Sequence, residues 1–420
     1  MKNRFLTGAA MVLAIFLLMA PGMARAGDEK IHITFWHALG GYREEIIGEL
    51  VDRFNKENPG IQVEAVYVKS RDPRLGNDYH ALYRKIMVNL AQKTPPDVAQ
   101  VYENWTAQWI DIGALIPTND SNEEDLIPIF RHANTFDGEL WTLPFNKSIY
   151  VLYYNADLFH KAGVEPPGTW EEFRQVAMKL TGEGADGARV YGIAFRPSVD
   201  IFGHYLLAKG GSFIEDNRAV FSSPAGVEVL KFWTDLVHKD RSAHASFNDR
   251  EDFARGRSAM YIDTTSRLPS MIEKTDFQLG VVPLPRGTHQ RYQFAGTNLA
   301  IFSHLSGERL QAARKFVRFM SDTDSTLFLA LHTGYLPVRK SAIESPMYQE
   351  LLKKDPRYQV GISALEYAEV QPKVAAWEMI RGILDDTMFD AISRRTDPDK
   401  ALDRAQKMAN HLIMNLTGKN

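Results

Sequence analysis

The chain has 420 residues, with 49 basic and 52 acidic side chains and no cysteine. A net charge of −3 argues against nucleic acid as a partner. The absence of thiols excludes disulfides, thiolate metal sites, iron–sulfur clusters and a cysteine nucleophile. The length fits two domains better than one compact core.

Residues 1–26 are typical of an export signal. Lys2 and Arg4 form a basic start, and the apolar run that follows, about 16 residues, is shorter than the ~20 that span a membrane. A small-x-small cleavage pattern ends at Ala26, and cleavage there leaves 46 basic and 52 acidic residues, a net charge of −6. With no cysteine to carry a lipid anchor, we expect an unanchored periplasmic protein that begins at Gly27.

Strands and helices are predicted to alternate at the start of the mature chain. Residues 31–36 alternate apolar and polar side chains, 42–58 carry a one-sided apolar stripe, and 61–67 alternate again. A helix over 79–92 and a buried strand over 98–102 follow. This order predicts a β-α-β unit within a mixed α/β fold.

The same mixture continues to the end of the chain. Thr169-Trp170-Glu171-Glu172 has the spacing of a capping box and predicts a helix start. Further strands are predicted over 149–154, 259–262, 279–283 and 299–302, and amphipathic helices over 310–320 and 402–412. Two α/β lobes are therefore the expected architecture.

Motifs for catalysis or cofactors are weak. The G-x-G-x-x-G match at 182–187 follows a predicted helix instead of opening one, so we interpret it as a loop. His37 and His204 are isolated, and we predict no metal and no other cofactor. No nucleophile with its base is recognisable, so an enzyme is not predicted. A secreted hydrolase and a structural or sensory protein stay open as alternatives.

Aromatic residues cluster at predicted strand ends and turns. They are Trp36, Tyr67, Tyr79, Tyr102, Trp105, Trp109, Tyr150, Tyr153, Tyr154 and Tyr335. Rings with polar tips suit a small hydroxylated ligand, because the face covers C–H groups while the tip makes hydrogen bonds. Taken singly, each ring is also compatible with an ordinary place in the core.

Five motifs resemble those of a known family. They are Phe35-Trp36-His37, Gln100-Val101-Tyr102-Glu103, Pro144-Phe145-Asn146-Lys147-Ser148 with Val151-Leu152-Tyr153-Tyr154-Asn155, Thr333-Gly334-Tyr335-Leu336-Pro337 and Ala401-Leu402-Asp403. In order and spacing, from residue 31 to 412, the chain resembles bacterial extracellular solute-binding proteins of ABC importers. Within that family it is most similar to members that bind glycerol-3-phosphate.

The resemblance implies a periplasmic-binding-protein fold of type II-like form, with two α/β lobes, crossing hinge segments and a ligand in the cleft. The first lobe is expected to comprise 27–145 plus 290–342, and the second 146–289 plus 343–420. The implied function is capture of a small solute and its delivery to an inner-membrane ABC permease with its ATPase subunits. We expect a monomer that binds the solute without making or breaking a covalent bond in it.

The resemblance also implies a set of ligand-binding residues. By position they are Tyr79, Glu103, Ser148, Gly296, Tyr335 and Arg381, with a further contact in the segment of Thr265 and Ser266. Arg381 would supply a permanent cation with a fork of donors for phosphate, and Glu103 would accept from glycerol hydroxyls. The alternative for Arg381 is a helical salt bridge to Glu378 or Asp385.

One departure concerns the part of the site that would hold the rest of the ligand. Two tryptophans of the relatives fall in the loop near 196–202, where this chain has none. Arg196, Phe202 and His204, together with Trp36, are instead the possible head-group wall. We therefore expect glycerol-3-phosphate or a glycerophosphodiester with a larger head group as the solute, and a sugar or oligosaccharide as the alternative.

Overall fold

The computed structural model describes residues 30–71, 78–119, 121–184, 186–393 and 396–417. The predicted export signal lies outside these residues. Among the helices so described, none combines the length and the apolar character needed to cross a membrane.

The strands are numbered in chain order. They are β1 (Ile31–His37), β2 (Ile61–Tyr67), β3 (Val98–Val101), β4 (Leu115–Ile116), β5 (Thr135–Phe136), β6 (Glu139–Leu140), β7 (Leu143–Pro144), β8 (Ser148–Asn155), β9 (Gly182–Glu183), β10 (Arg189–Phe195), β11 (Ile214–Glu215), β12 (Arg218–Ala219), β13 (Ala243–Ala245), β14 (Ser258–Thr264), β15 (Leu279–Pro283), β16 (Tyr292–Ala295), β17 (Asn298–Phe302) and β18 (Ala368–Glu369). The strands predicted over 61–67 and 279–283 are confirmed at β2 and β15.

The helices follow the same convention. They are α1 (Tyr42–Glu57), α2 (Asp78–Ala91), α3 (Glu103–Asp111), α4 (Pro128–Asn134), α5 (Ala156–Ala162), α6 (Trp170–Lys179), α7 (Val199–Ala208), α8 (Pro224–His238), α9 (Asp249–Ala254), α10 (Leu268–Lys274), α11 (Gly307–Met320), α12 (Thr323–Thr333), α13 (Lys340–Glu344), α14 (Pro346–Lys354), α15 (Arg357–Ala364), α16 (Trp377–Ser393) and α17 (Pro398–Thr417). The predicted amphipathic helices over 310–320 and 402–412 are confirmed within α11 and α17.

Two local predictions had different outcomes. The capping box is confirmed, because the Thr169 hydroxyl accepts from the backbone N–H of Glu172 while the Glu172 carboxylate accepts from the N–H of Thr169. The interpretation of 182–187 as a plain loop is incomplete, because β9 pairs antiparallel with β10 there. The glycine-rich turn thus leads into a strand and does not open a helix, which rules out a dinucleotide-binding turn.

A first sheet has the order β2-β1-β3-β17-β4, with β7 beside β17. β1 runs parallel to β2 and β3, as the predicted β-α-β unit requires, whereas β17 is antiparallel to β3 and β4. Its core contains Phe35, Phe54 and Phe316, all fully buried, and Phe316 lies 5.3 Å and 5.2 Å from the other two ring centroids. Burial of such rings supplies much of the stability of this lobe.

A second sheet has the order β13-β10-β14-β8-β16-β18, with β15 and β9 paired to β8 and β10. A large aromatic cluster that includes Trp170, Trp233 and Phe232 covers it, and the two indoles meet edge to face at 5.8 Å. The two sheets have separate cores. The molecule therefore consists of two α/β lobes.

Within the described ranges, the chain passes between the two lobes at three places. It leaves β7 for β8 through 145–147, returns from β16 to β17 through 296–297, and crosses again near 334–338, where Tyr335 packs with the first core and Leu336 with the second. β16 belongs to the second sheet, so the second change of sheet comes at 296, later than the expected lobe limit at 290. The lobe limits stay a prediction.

These crossings are packed against one another. The backbone N–H of Leu336 donates to the carbonyl oxygen of Lys147 at 2.7 Å, which joins the first and third crossings. Gly296 has a φ of 107°, and a Cβ built there would lie 2.0 Å from the carbonyl oxygen of Asn146. Only glycine allows both this left-handed conformation and this close approach. The three crossing segments therefore pack directly against one another and form the hinge.

Candidate ligand-binding site

A cavity of about 90 Å³ lies between the two lobes. Its lining comes from both of them: Tyr79, His80, Tyr102 and Asn104 of the first lobe, and Tyr150, Asp200, Ala295, Gln371, Glu378 and Arg381 of the second. It adjoins a wider cleft of about 650 Å³, whose wall shares His80, Tyr150, Asp200 and Arg381 with it. A small solute bound here would touch both lobes.

Helix ends and strand ends bring the polar side chains to this place. Tyr79 and His80 lie in the first turn of α2, and Tyr102 is the residue that precedes α3. Asp200 lies in the first turn of α7, which begins where the Ser198 hydroxyl accepts from the backbone N–H of Ile201. This arrangement at element termini is usual for binding residues carried on a rigid scaffold.

Arg381 forms a two-pronged ion pair with Asp200. Its Nη1 and Nη2 donate to Oδ1 and Oδ2 at 2.9 Å each, and Nη1 also donates to Oε1 of Gln371 at 3.2 Å. Within the described part of the chain, Nε–H and the second hydrogen of Nη2 have no hydrogen-bond acceptor. The guanidinium therefore keeps one edge with two donors for a ligand.

Electrostatics fix the charges of this pair. Burial alone would raise the pKa of Asp200, but the charge and the hydrogen bonds of Arg381 lower it below its usual value. Burial opposes the charge of Arg381 as well, and the Asp200 carboxylate raises its pKa overall. The pair thus stays ionised at neutral pH. The alternative prediction was a salt bridge from Arg381 to Glu378 or Asp385 on the same helix. It is wrong, because the guanidinium pairs with Asp200 instead.

Three tyrosines supply neutral polar groups. The ring centroids of Tyr79 and Tyr102 lie 5.3 Å apart, and the Nδ2 of Asn146 donates to the Tyr79 hydroxyl at 3.2 Å. Burial raises the pKa of Tyr79, Tyr102 and Tyr150 well above the usual value. Their hydroxyls stay protonated, so they can donate to ligand oxygens or accept from ligand hydroxyls.

Glu103 lies in a buried ion pair outside the cavity wall. Its carboxylate accepts from Lys147 Nζ at 2.6 Å and from Asn298 Nδ2 at 3.1 Å, and the side chains of Lys147 and Glu103 are 0% and 4% exposed. Burial lowers the pKa of Lys147, and the charge of Glu103 offsets part of that effect. In this structure Glu103 therefore stabilises the hinge through Lys147 and Asn298. Its role as an acceptor for a ligand stays a prediction.

The other predicted contacts surround the cavity. Ser148 begins β8 and pairs with Ala295, which adjoins Gly296, and Tyr335 is buried beside Tyr79. Farther along, the Thr265 hydroxyl accepts from the backbone N–H of Ile149 at 3.4 Å, and Ser266 Oγ shares a hydrogen bond with Thr264 Oγ1 at 2.9 Å. The structure thus brings Tyr79 and Arg381 into the wall, with Ser148, Gly296 and Tyr335 behind it.

The four residues predicted to form the head-group wall do not lie together in the structure. Arg196 is exposed and lines the wider cleft, with its guanidinium 5.2 Å from the Phe247 ring. Trp36 lies on β1 under the Lys85 ammonium, and Phe202 is fully buried in the core of the second lobe. Neither Trp36 nor Phe202 is among the residues that line the small cavity or the wider cleft, and their part in a head-group wall stays a prediction.

His204 lies directly behind the cavity. Its ring centroid is 4.2 Å from that of Tyr150, and neither ring nitrogen has a hydrogen-bond partner among the described residues. Burial lowers the pKa of His204 to about 4, which the charge of Asp200 offsets in part and that of Arg381 reinforces. A neutral imidazole therefore supports the Tyr150 ring.

The low pKa of His204 predicts acid sensitivity. Below pH 6.5 the unfolded chain binds a proton at this histidine that the folded chain does not bind until about pH 4. The free energy of unfolding should therefore fall by up to about 3 kcal/mol as the pH is lowered from 6.5 to about 4. The His204→Phe variant should lack this contribution. Urea unfolding at pH 7 and pH 4.5 measures it, with exposed His32→Gln as control; equal acid losses in wild type and His204→Phe would contradict the assignment.

Several cavity residues escape prediction from the sequence. Asp200 and His80 stand beside residues that were singled out, and Asn104 follows Glu103, but no local pattern marks any of them. Glu378 appears only as a candidate partner of Arg381, and Gln371 carries no signal. Within the described chain, no group of three or more histidines or carboxylates could hold a metal ion.

Comparisons with known proteins agree on one family. The model of the bacterial extracellular solute-binding protein family matches residues 49–358. The sn-glycerol-3-phosphate-binding periplasmic protein UgpB of Pectobacterium atrosepticum is 25% identical over 98% of this chain and 97% of its own. UgpB of Escherichia coli K12 is also 25% identical, over 98% of each chain.

Solved structures share the two-lobed fold. UgpB of Mycobacterium tuberculosis in complex with glycerophosphocholine superimposes with a TM-score of 0.83 at 24% identity, covering 92% of this chain and 99% of that one. The GacH receptor of Streptomyces glaucescens, solved unliganded and with acarbose, gives a TM-score of 0.80 at 23% identity, covering 91% and 98%. The expected fold class is thus confirmed. The chain belongs to the bacterial extracellular solute-binding proteins and is a solute-binding component of an ABC importer.

Proposed function

We propose that the cavity captures a solute that contains a glycerol-3-phosphate unit, either glycerol-3-phosphate itself or one of its diesters. The observation that carries the proposal is the open edge of Arg381. Asp200 holds the guanidinium in place by two hydrogen bonds, and two donors remain for phosphate oxygens. Such paired, charge-assisted bonds are the usual protein contact for phosphate.

The rest of the cavity suits the glycerol end. The hydroxyls of Tyr79, Tyr102 and Tyr150 and the amides of Asn104 and Gln371 can exchange hydrogen bonds with polyol hydroxyls, while the rings cover C–H groups. The UgpB relatives support the same solute class. In this proposal, the periplasmic carrier closes its lobes over the solute and releases it unchanged to the permease.

A neutral sugar is the second candidate. Asp200 cancels much of the charge that Arg381 would offer to a phosphate, and carboxylates beside aromatic rings also suit sugar hydroxyls. The likeness of fold to the acarbose-binding receptor is compatible with this reading. The two candidates differ in whether the solute must carry an anion.

A ligand panel separates the two. The purified protein is tested by thermal shift and titration calorimetry with glycerol-3-phosphate, glycerophosphocholine, glycerophosphoethanolamine, glucose and maltose. We expect a glycerol phosphate to raise the melting temperature by several degrees, since a ligand at 100 times its Kd adds about 2.7 kcal/mol. Tight binding of a sugar with no response to any glycerol phosphate would overturn the proposal. Recovery of intact ligand after long incubation tests the absence of catalysis.

A further inference from the structure

Within the described residues, one carboxylate of the cavity wall makes all of its side-chain hydrogen bonds and ion-pair contacts with the opposite lobe. Glu378 on α16 accepts from the indole Nε1 of Trp105 at 3.0 Å and from the Nδ2 of Asn104 at 3.4 Å. His80 Nε2 lies 3.3 Å from its other oxygen. Trp105, Asn104 and His80 all belong to the first lobe. Glu378 thus occupies a fixed place on the cavity wall once the lobes are together.

The charge of Glu378 is not cancelled within that wall. The charges of Arg381 and Asp200 offset each other in their ion pair. Trp105 and Asn104 are neutral donors, and burial lowers the pKa of His80 while the charge of Glu378 offsets part of that effect. His80 is therefore largely neutral at pH 7. Among the residues that line the small cavity, two carboxylates and one guanidinium thus leave a surplus of one negative charge, while Arg84 and Arg196 act on His80 from outside the lining.

This surplus acts differently on the possible solutes. A phosphate monoester approaches two negative charges at pH 7, because its second pKa lies near 6. A phosphodiester carries one negative charge, and a diester with an ammonium head group has none overall. Near a surplus carboxylate, a dianion is repelled and an ammonium group is attracted. The tyrosine rings beside Glu378 add a second, favourable surface for a cation.

We propose that Glu378 is a specificity-determining residue, which favours a glycerophosphodiester with a cationic head group over one with an uncharged head group and over the monoester. This inference rests on the proposed function and adds the chemical class of the head group. The ammonium group would lie near Glu378 and the tyrosine rings, and the phosphate on the open edge of Arg381.

Calorimetry with three probes tests the inference. Glycerophosphocholine carries a cation, glycerophosphoglycerol is a diester without one, and glycerol-3-phosphate is the monoester. Wild type should bind glycerophosphocholine most tightly. In Glu378→Gln, which keeps the shape and removes the charge, the preference for glycerophosphocholine over glycerophosphoglycerol should fall about tenfold, and glycerol-3-phosphate should bind more tightly relative to both.

Two further variants make the result specific. Asp386→Asn removes an exposed carboxylate from the same helix and should leave all three affinities unchanged. Glu378→Asp keeps the charge, so it should retain the preference even where overall binding weakens, and it provides the test if Glu378→Gln does not fold. An equal loss for all three probes in Glu378→Gln would overturn the inference, since Glu378 would then serve only to hold the lobes together.

The proposed function and this inference fail in different ways. If wild type binds none of the three glycerol phosphates, the proposed function falls, and the inference with it. If wild type binds them without preference for glycerophosphocholine, or if Glu378→Gln keeps the preference unchanged, only the inference falls.

Discussion

Replacing Arg381 with alanine should abolish the response to glycerol phosphates. The variant loses both donors of the open guanidinium edge, and hydrogen bonds to charged groups contribute about 1.5–3 kcal/mol each. Affinity should therefore fall at least about a hundredfold, which calorimetry measures directly. A sugar, if one binds, should be less affected than a phosphate, because it brings no anion to the site.

This variant needs a control for stability. Arg381→Ala leaves the Asp200 carboxylate largely buried without its partner, which by itself destabilises the second lobe. The double variant Arg381→Ala/Asp200→Asn removes both charges and should recover melting temperature without recovering phosphate binding. If either variant kept wild-type affinity for glycerol phosphates, Arg381 would not be the phosphate contact, and the proposed function would lose its main support.

Replacing Lys147 with methionine should destabilise the fold more than any change in the cavity wall. The Glu103 carboxylate would remain almost fully buried, and the amide of Asn298 would be its one side-chain donor among the residues that the structure describes. Breaking a buried ion pair by removing one partner costs about 3–5 kcal/mol. Thermal unfolding and urea titration of the unliganded protein measure the loss.

The matched double variant shows whether an unpaired charge is the cause. Lys147→Met/Glu103→Gln replaces the ion pair with neutral groups of similar size and should regain much of the stability lost in Lys147→Met. If Lys147→Met alone changed stability by less than about 1 kcal/mol, the pair would not be a structural element of the hinge. Glu103→Gln also tests the predicted ligand role of Glu103, because binding can be measured in the stable double variant.

Local sequence signals account for most of the fold. Alternation of apolar residues identified β2, and the spacing of Thr169 and Glu172 identified the start of α6, because both depend on interactions within a few residues. The resemblance in order and spacing singled out Tyr79 and Arg381, and both line the cavity. These signals could not identify the crossing at Gly296, since strand pairing across more than a hundred residues leaves no local pattern.

The ion-pair partners of the site residues could not be predicted from the sequence. Arg381 pairs with Asp200, which lies 181 residues away, while the local candidates Glu378 and Asp385 accept from Trp105 and from the backbone N–H of Val199. Helical spacing shows which side chains are neighbours on one helix, but tertiary packing decides which of them meet. Trp36 shows the same limit, because an aromatic ring near a strand end can pack against a neighbouring side chain, here Lys85, as readily as it can face a ligand.

The position of β17 determines when the first lobe can form. This strand lies between β3 and β4, so the sheet that begins at Ile31 is completed only by residues 298–302. During synthesis, roughly the first three hundred residues must therefore emerge before either of those strands finds its central neighbour, and such non-local pairing makes folding slow. By that point the strands of the second sheet from β8 to β16 have already been made, so the first lobe is completed after most of the second sheet is available. Strand order alone thus delays the site, because a cavity lined by both lobes cannot form until the first lobe has received this late strand.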